Sequence, residues 1–130
     1  MRWIILIVRI LLGLLFLTTG LDHFLKFMPP RTAPAGPAGE FAGILHHSGY
    51  LTVVKFLELS GGALVLSGRL APLGLTLLTP VIVNILLFEV FLTQQPGIGV
   101  VLILADAFLI FGYWRYFKSV FTTDASIWPR

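Results

Sequence analysis

The sequence contains no cysteine and few charged residues. Without cysteine, the chain cannot form a disulfide, a thiol relay, an iron–sulfur cluster or a cysteine-based zinc site. Charged residues make up only 12% of its 130 residues, whereas soluble domains average about a quarter. Strict alternation of apolar and polar residues is also missing, which argues against a transmembrane barrel. The basic residues are scattered rather than clustered, so we expect no nucleic-acid partner.

The residues that are abundant are apolar ones: 57% of the chain is hydrophobic and the mean hydropathy is +0.94. A chain this short lacks the interior volume to bury so many large side chains, so lipid is the expected partner. Four apolar stretches are each near the roughly 20 residues that cross a bilayer as helix. They cover residues 3–27, 50–66, 70–92 and 98–117. The sequence therefore predicts a single all-α domain over residues 1–130, an integral membrane bundle of four transmembrane helices.

The first loop is rich in proline, glycine and alanine over residues 28–39. It is followed by a segment, 40–47, in which Phe41, Ile44 and Leu45 share one helical face. This pattern predicts a short interfacial helix. The first apolar stretch resembles a signal peptide at its basic start, but Arg9 interrupts it and no A-x-A-like site ends it. We therefore expect this stretch to be retained.

Basic residues near the helix ends predict the orientation of the bundle. One side of the membrane receives Arg2, Arg9, Arg69, Arg115 and Lys118. The other side receives Lys26 and Arg31, and the turn 93–97 carries no charge. Because cytoplasmic loops carry an excess of Lys and Arg, both termini are predicted to be cytoplasmic.

Ionisable residues within the apolar stretches are the most informative ones. Each costs about 2.5–3.5 kcal/mol at a helix centre, so such residues face the bundle and find partners. Lys55 and Glu58 are three residues apart, close enough to pair on one helix. Arg9 enters from the cytoplasmic side, and its long side chain is expected to reach Glu58 or Asp106. The sequence thus predicts a neutral buried network of Arg9, Lys55, Glu58 and Asp106.

A polar interior that opens toward the outer face is also predicted. Spacings of three and four place Arg9, Gly13, Phe16, Gly20 and His23 on one face of the first helix, where the glycines permit close packing. The candidate ligand-binding residues are His23, Lys55, Glu58, Asn84 and Asp106. A second, outer layer comprises Asp22, His23, Lys26, His46, His47 and Glu89. The alternative is that these groups only fix the helix register.

The histidines differ in what they predict. His46 and His47 are adjacent and point to different helix faces, so no shared metal is expected. His23 faces inward near the outer surface. It could be a proton relay, a hydrogen-bond donor to a quinone or a haem ligand, or simply a satisfied polar residue.

Four segments lie in order along the chain: RILLGLLFLTTGLDH (9–23), SGYL (48–51) leading to Lys55, ELSGGALVLSG (58–68) and PVIVN (80–84). Together they resemble the DoxX family of small membrane proteins. The resemblance implies a four-helix inner-membrane protein of prokaryotes. The family is named for a subunit associated with a quinol-oxidising or thiosulfate:quinone system, and other members are linked to oxidative-stress complexes or to maturation of redox enzymes. The resemblance transfers no catalytic residue to this chain.

Three functions are compatible with these features. The first is an accessory subunit of a quinone-linked redox complex, not catalytic alone, that binds a quinone or another small amphiphile in the outward-facing polar pocket. Electron transfer would then require a partner protein that carries a cofactor. The second is a non-catalytic membrane scaffold or assembly factor. The third is a small transporter, although no ring-forming pattern and no pair of broken helices appears.

Overall fold

The computed structural model describes residues 1–30 and 34–127, and within these ranges every regular element is a helix. In chain order they are α1 (Arg2–Leu25), α2 (Pro37–Ser48), α3 (Tyr50–Ser67), α4 (Ala71–Leu87) with a π-helical continuation (Phe88–Thr93), α5 (Ile98–Gly112), α6 (Trp114–Phe117) and a final 3-10 turn (Lys118–Phe121). The all-α prediction is confirmed. Arg31, used above to assign orientation, lies outside the described residues.

Three helices are long and apolar enough to cross a membrane: Arg2–Leu25, Tyr50–Ser67 and Ala71–Thr93. Helices Ile98–Gly112 and Trp114–Phe121 reach spanning length only when they are taken together as a fourth crossing, and they are bent by 82° against each other. The predicted helix over 98–117 was therefore wrong as one continuous span, because it breaks at Tyr113. The residues after the break carry the amphipathic rings and charge of Trp114, Arg115 and Tyr116, which favour the headgroup region over the bilayer core.

The chain order gives the bundle two ends, which we name by their connections. The loop end carries the segments 26–30 and 34–36, α2 and the 94–97 turn. The terminal end carries the start of α1, the Gly68 turn between α3 and α4, and the bend after α5. Gly68 adopts a φ of 78°, a left-handed conformation that glycine enters without steric cost. The turn is thereby short enough for α3 and α4 to pack as antiparallel neighbours.

Helices α1 and α3 pack against each other at near-contact distance, as the glycine spacing predicted. A methyl group placed on Gly13 would lie 2.7 Å from Leu66 Cα, and one on Gly20 would lie 3.0 Å from Leu59 Cα. From the opposite side, a methyl group on Gly62 would lie 2.7 Å from the backbone nitrogen of Leu17. We call this interface the α1–α3 seam. It brings two backbones together because each contact has a glycine, which lacks a side chain, on one of the two helices.

The interior is filled by aliphatic and aromatic side chains from α1, α3, α4 and α5. The largest fully buried ones are Phe16, Val65, Leu75, Leu78, Ile82 and Leu109. Large apolar side chains also cover the outside of the spans, including Ile7, Leu11, Phe56, Leu104 and Phe111, each more than half exposed. An outer surface of this kind fits contact with lipid rather than with water.

Helix α2 begins earlier than the sequence indicated, at Pro37 rather than at residue 40. Proline suits the first turn of a helix because its missing N–H has no partner there anyway. The helix ends at Ser48 and is capped by Gly49, whose φ is 83°. Phe41 of α2 contacts Phe88 with ring centroids 5.8 Å apart, which holds α2 across the loop end of α4. Its position relative to a membrane surface stays a prediction.

Candidate functional site

A cavity of about 500 Å³ lies between α1, α3, the π-helical segment and α5, toward the loop end. We call it the central cavity. It is lined by Leu15, Phe16, Thr19, Lys55, Glu58, Ile85, Phe88, Glu89, Thr93, Gln95, Pro96, Gly97, Ile98 and Leu102. Apolar side chains alternate with a few polar ones, which is the usual composition of a small-molecule site. The sequence predicted a polar pocket that opens toward the outer face; which side of a membrane this cavity faces stays a prediction.

Lys55 and Glu58 form the predicted ion pair in the wall of this cavity. Lys55 Nζ lies 3.0 Å from Glu58 Oε2, and the exposed fractions of the two side chains are 23% and 5%. Residues three apart on a helix share a face, so α3 by itself positions both groups. An ammonium group has three N–H donors. Lys55 therefore retains donor capacity for a ligand after bonding Glu58.

Glu89 lines the central cavity and caps α5. Its Oε1 accepts hydrogen bonds from the backbone N–H groups of Gly97 at 3.1 Å and Gly99 at 2.7 Å. Gly97 is the N-cap of α5 and has no side chain to do this. A carboxylate at a helix N-terminus also compensates the positive end of the helix dipole. The sequence indicated only an outer polar position for Glu89. Its role as the cap of α5 could have been inferred from Gly97, which precedes the helix and has no side chain to cap it.

His23 lies in a neighbouring cavity of about 430 Å³ near the 26–30 segment, which we call the outer cavity. Its Nε2 is 3.3 Å from Thr52 Oγ1 of α3. Thr19 and Lys55 line both cavities, so these two side chains form the wall between them. His23 is therefore adjacent to the central cavity rather than inside it.

Asn84 and Asp106 are placed apart from the Lys55–Glu58 pair. Asn84 lines an apolar groove of about 660 Å³ between α2, α3 and α4, and its amide donates to the carbonyl of Pro80 at 3.2 Å. Asp106 is 2% exposed, and its two carboxylate oxygens lie 3.1 and 2.9 Å from the Thr79 hydroxyl. The five predicted ligand-binding residues thus do not converge on one cavity. Thr79 was not among the residues that the sequence indicated.

The four residues of the predicted charge network, Arg9, Lys55, Glu58 and Asp106, do not form one network; of these, only Lys55 and Glu58 form an ion pair. Arg9 donates from Nη1 to the Tyr113 hydroxyl at 3.2 Å, and its guanidinium lies against Gly68 at the terminal end. Gly68 is ten residues from Glu58, which is about 15 Å along α3 at 1.5 Å per residue. An arginine side chain does not span that distance, and among the described residues the only ion pair joins Lys55 to Glu58. The predicted pairing of Arg9 with Glu58 or Asp106 was therefore wrong.

The other histidines lie near His23. The rings of His23 and His46 have centroids 6.4 Å apart, and those of His46 and His47 5.5 Å apart. In the described part of the chain, no group of three or more His, Asp or Glu side chains is arranged to hold a metal ion.

Antiparallel apolar helices of spanning length, with ionisable groups kept inside, define a small multi-pass membrane protein. The chain belongs to the DoxX family, whose sequence profile matches residues 4–90. That match includes α1 from residue 4 onward, α2 to α4 and the Lys55–Glu58 pair, and ends before α5 and Asp106. No curated protein and no solved structure matches the chain.

Proposed function

We propose that this DoxX protein is an accessory membrane subunit that binds a small amphiphile in the central cavity. A quinone is the class of ligand that we favour, with its polar ring at the Lys55–Glu58 pair. In this proposal the chain is not catalytic alone, and electron transfer belongs to a partner protein of a redox complex. The observation that carries the proposal is a buried ion pair in the wall of a cavity that is otherwise lined largely by apolar groups.

The size and lining of the cavity support a ligand of this kind. Sites for small molecules and cofactors have volumes of roughly 300–1,000 Å³ and a few polar groups in an apolar lining. The central cavity, at about 500 Å³, falls within that range. Phe16, Ile85 and Leu102 supply apolar surface for a ring or chain, while Lys55 supplies donors for a carbonyl oxygen. A ligand with one polar and one apolar end satisfies both.

The Lys55–Glu58 pair supports binding of a neutral ligand better than of an ion. Because the two charges compensate each other at 3.0 Å, the site carries little net charge. A bound cation or anion would have to compete with one member of the pair for the other. A carbonyl oxygen needs only one of the remaining N–H groups of Lys55. The outer cavity, with His23, would then offer a polar route from the loop end to this site.

The scaffold function is supported by a different observation, the pairing of the buried groups. Glu58 is bonded to Lys55 and Asp106 to Thr79, and the α1–α3 seam leaves no space between its helices. Polar contacts of this kind also serve only to fix helix register. The two functions differ in whether the central cavity takes up a ligand.

Thermal melting of the purified protein across a series of quinones separates them. We expect a short-chain quinone to raise the melting temperature of the parent protein. In Glu58→Gln the shift should shrink, since the amide preserves the shape of the side chain but loses its ion pair. His23→Ala should have a smaller effect, because His23 lies in the outer cavity.

Asp106→Asn is the matched control, because it makes the same chemical change at a carboxylate bonded to Thr79 instead. It should keep the full quinone shift even if it melts earlier. If no quinone shifts the melting of the parent protein and none co-purifies with it, the scaffold function replaces this proposal.

We also propose that the bundle lies in the inner membrane of a prokaryote with both termini cytoplasmic. The excess of Arg and Lys at the terminal end supports this orientation. Since the chain has no cysteine, single substitutions report cleanly. Ala35→Cys should react with an impermeant maleimide added outside intact cells, and Ser119→Cys should react only after permeabilisation. The reverse pattern would contradict the orientation.

A further inference from the structure

A third cavity, of about 680 Å³, lies at the terminal end between the start of α1 and the end of α5. We call it the terminal cavity. Arg2, Arg9 and Tyr113 provide its polar lining, and Trp3, Ile5 and Leu6 its apolar lining. Arg2 and Trp3 are exposed, so the cavity is accessible from the surface of the bundle. It is at the opposite end from the central cavity and plays no part in the function proposed above.

The guanidinium of Arg9 is incompletely bonded within this cavity. Nη1 donates to the Tyr113 hydroxyl at 3.2 Å, whereas Nε is buried and has no hydrogen-bond partner among the described residues. Nε is closed to water, so a ligand in the cavity cannot reach it. Nη2 also has no hydrogen-bond partner among the described residues, but it is not buried and can donate to a ligand. That ligand must offer an acceptor, since arginine has only donors.

No carboxylate in the described part of the chain compensates the charge of Arg9. The chain has six acidic residues, and within residues 1–30 and 34–127 the only ion pair is that of Lys55 with Glu58. Glu89 caps α5, and Asp106 is bonded to Thr79. Arg9 therefore lies inside a membrane span with a neutral phenol as its hydrogen-bonded partner.

The negative end of the α3 helix dipole offers Arg9 partial compensation. The guanidinium lies against Gly68, immediately beyond the last turn of α3, where backbone carbonyls carry partial negative charge. This explains the direction of the side chain. It explains neither the accessible, unbonded Nη2 nor the second guanidinium, Arg2, on the same cavity.

We propose that the terminal cavity binds the phosphate group of an anionic phospholipid, held by Arg9, Arg2 and the Tyr113 hydroxyl. A guanidinium presents a planar fork of donors that matches phosphate oxygens and makes charge-assisted hydrogen bonds to them. The phosphate supplies the negative charge and the acceptor atoms that Arg9 lacks. Trp3, Ile5 and Leu6 contact the glycerol and the first part of the acyl chains, which is why a lipid fits better than free phosphate.

The test compares the full-length protein in nanodiscs of phosphatidylglycerol and of phosphatidylcholine. The parent protein should melt at a higher temperature in the anionic lipid and should retain phosphatidylglycerol in native mass spectrometry. Arg9→Gln should retain it about tenfold less, the effect expected for loss of a charge-assisted hydrogen bond. Arg2→Ala, on the exposed rim, should reduce retention without unfolding the bundle, so it carries the test if Arg9→Gln does not fold.

Arg69→Ala is the control, because it removes the same charge at the same end from an exposed position outside this cavity. It should leave the retention of phosphatidylglycerol unchanged. The proposal is overturned if the parent protein shows no preference between the two lipids, or if Arg2→Ala and Arg69→Ala lower retention equally. If inorganic phosphate in phosphatidylcholine nanodiscs gives the same melting shift, the lipid is not the source of the anion.

Discussion

Helix α1 has two very different neighbours. Toward α3, its backbone lies so close that a methyl group on Gly13 would come within 2.7 Å of Leu66 Cα. Toward α5, at the loop end, it stands far enough away to leave the central cavity of about 500 Å³. The same helix is therefore sealed along one face and open along another. The difference lies in the residues on each face, glycines on the first and larger side chains such as Leu15 and Thr19 on the second.

The comparison shows which contacts carry packing and which define a site. The seam stabilises the bundle through close backbone approach, a mechanism that suits lipid because it does not depend on exclusion of water. The open side is instead held by polar contacts around the central cavity, namely the Lys55–Glu58 ion pair and the hydrogen bonds by which Glu89 caps α5. Substitutions on the two sides should accordingly destabilise the bundle for different reasons: loss of a polar partner on the open side and overpacking in the seam.

The largest expected effect is on the open side, from Lys55→Met. It leaves Glu58, which is 4% exposed, without its counter-charge. Removing one partner of a buried pair costs about 3–5 kcal/mol, and the partial exposure of Lys55 places this pair at about 3 kcal/mol. Unfolding by SDS in mixed micelles measures it. The double variant Lys55→Met/Glu58→Leu should recover most of the loss; a double variant as unstable as the single one would show that the charge is not the cause.

The next largest effect is on the seam, from Gly62→Ala. The added methyl group would lie 2.7 Å from Leu17 N and 3.0 Å from Phe16 C, and backbone atoms cannot rotate away. Overpacking of this kind costs about 1–3 kcal/mol. Gly43→Ala in α2 is the matched control, since nothing lies within 4 Å of the new methyl group. It should be neutral or slightly stabilising in the same unfolding assay. Equal effects at both positions would mean that the seam is not tightly packed.

The smallest effect concerns the rim of the open side, from Glu89→Ala. Loss of an N-terminal cap costs about 1 kcal/mol. The local consequence should be clearer than the global one, because the N–H groups of Gly97 and Gly99 lose their acceptor. Hydrogen exchange of peptides covering residues 94–100 should accelerate, while exchange in the seam stays unchanged. Asp124→Ala, at an exposed position, should alter neither.

The sequence was sufficient for the helical architecture and the seam. Apolar length determines where helices cross lipid, and glycine spacing determines where two of them can approach. The Lys55–Glu58 pair was predictable for the same reason, since both residues are on one helix with fixed geometry. In each case a local rule is enough.

The hydrogen-bond partners of Arg9 and Asp106 depend on how the helices are shifted along one another. Residue spacing within one helix does not determine that shift. Arg9 bonds Tyr113, 104 positions away, because the ends of α1 and α5 meet at the terminal end. Asp106 bonds Thr79 rather than a cation because α4 and α5 bring these residues level. Composition alone cannot distinguish such neighbours from the charged partners that we expected. The bend at Tyr113 was missed because the predicted span was extended through Trp114 and Arg115, whose ring and charge favour the headgroup region.

The most direct test of the open side is ligand protection of a single cysteine in its wall. Thr19→Cys would place a thiol between the central and outer cavities in a chain with no other cysteine. We predict that it reacts with a small maleimide in the purified protein, and that a short-chain quinone slows the reaction. Ser67→Cys, exposed at the terminal end, should react at the same rate with and without quinone. Labelling of Thr19→Cys that is unaffected by any quinone would contradict the account of the central cavity as a ligand site.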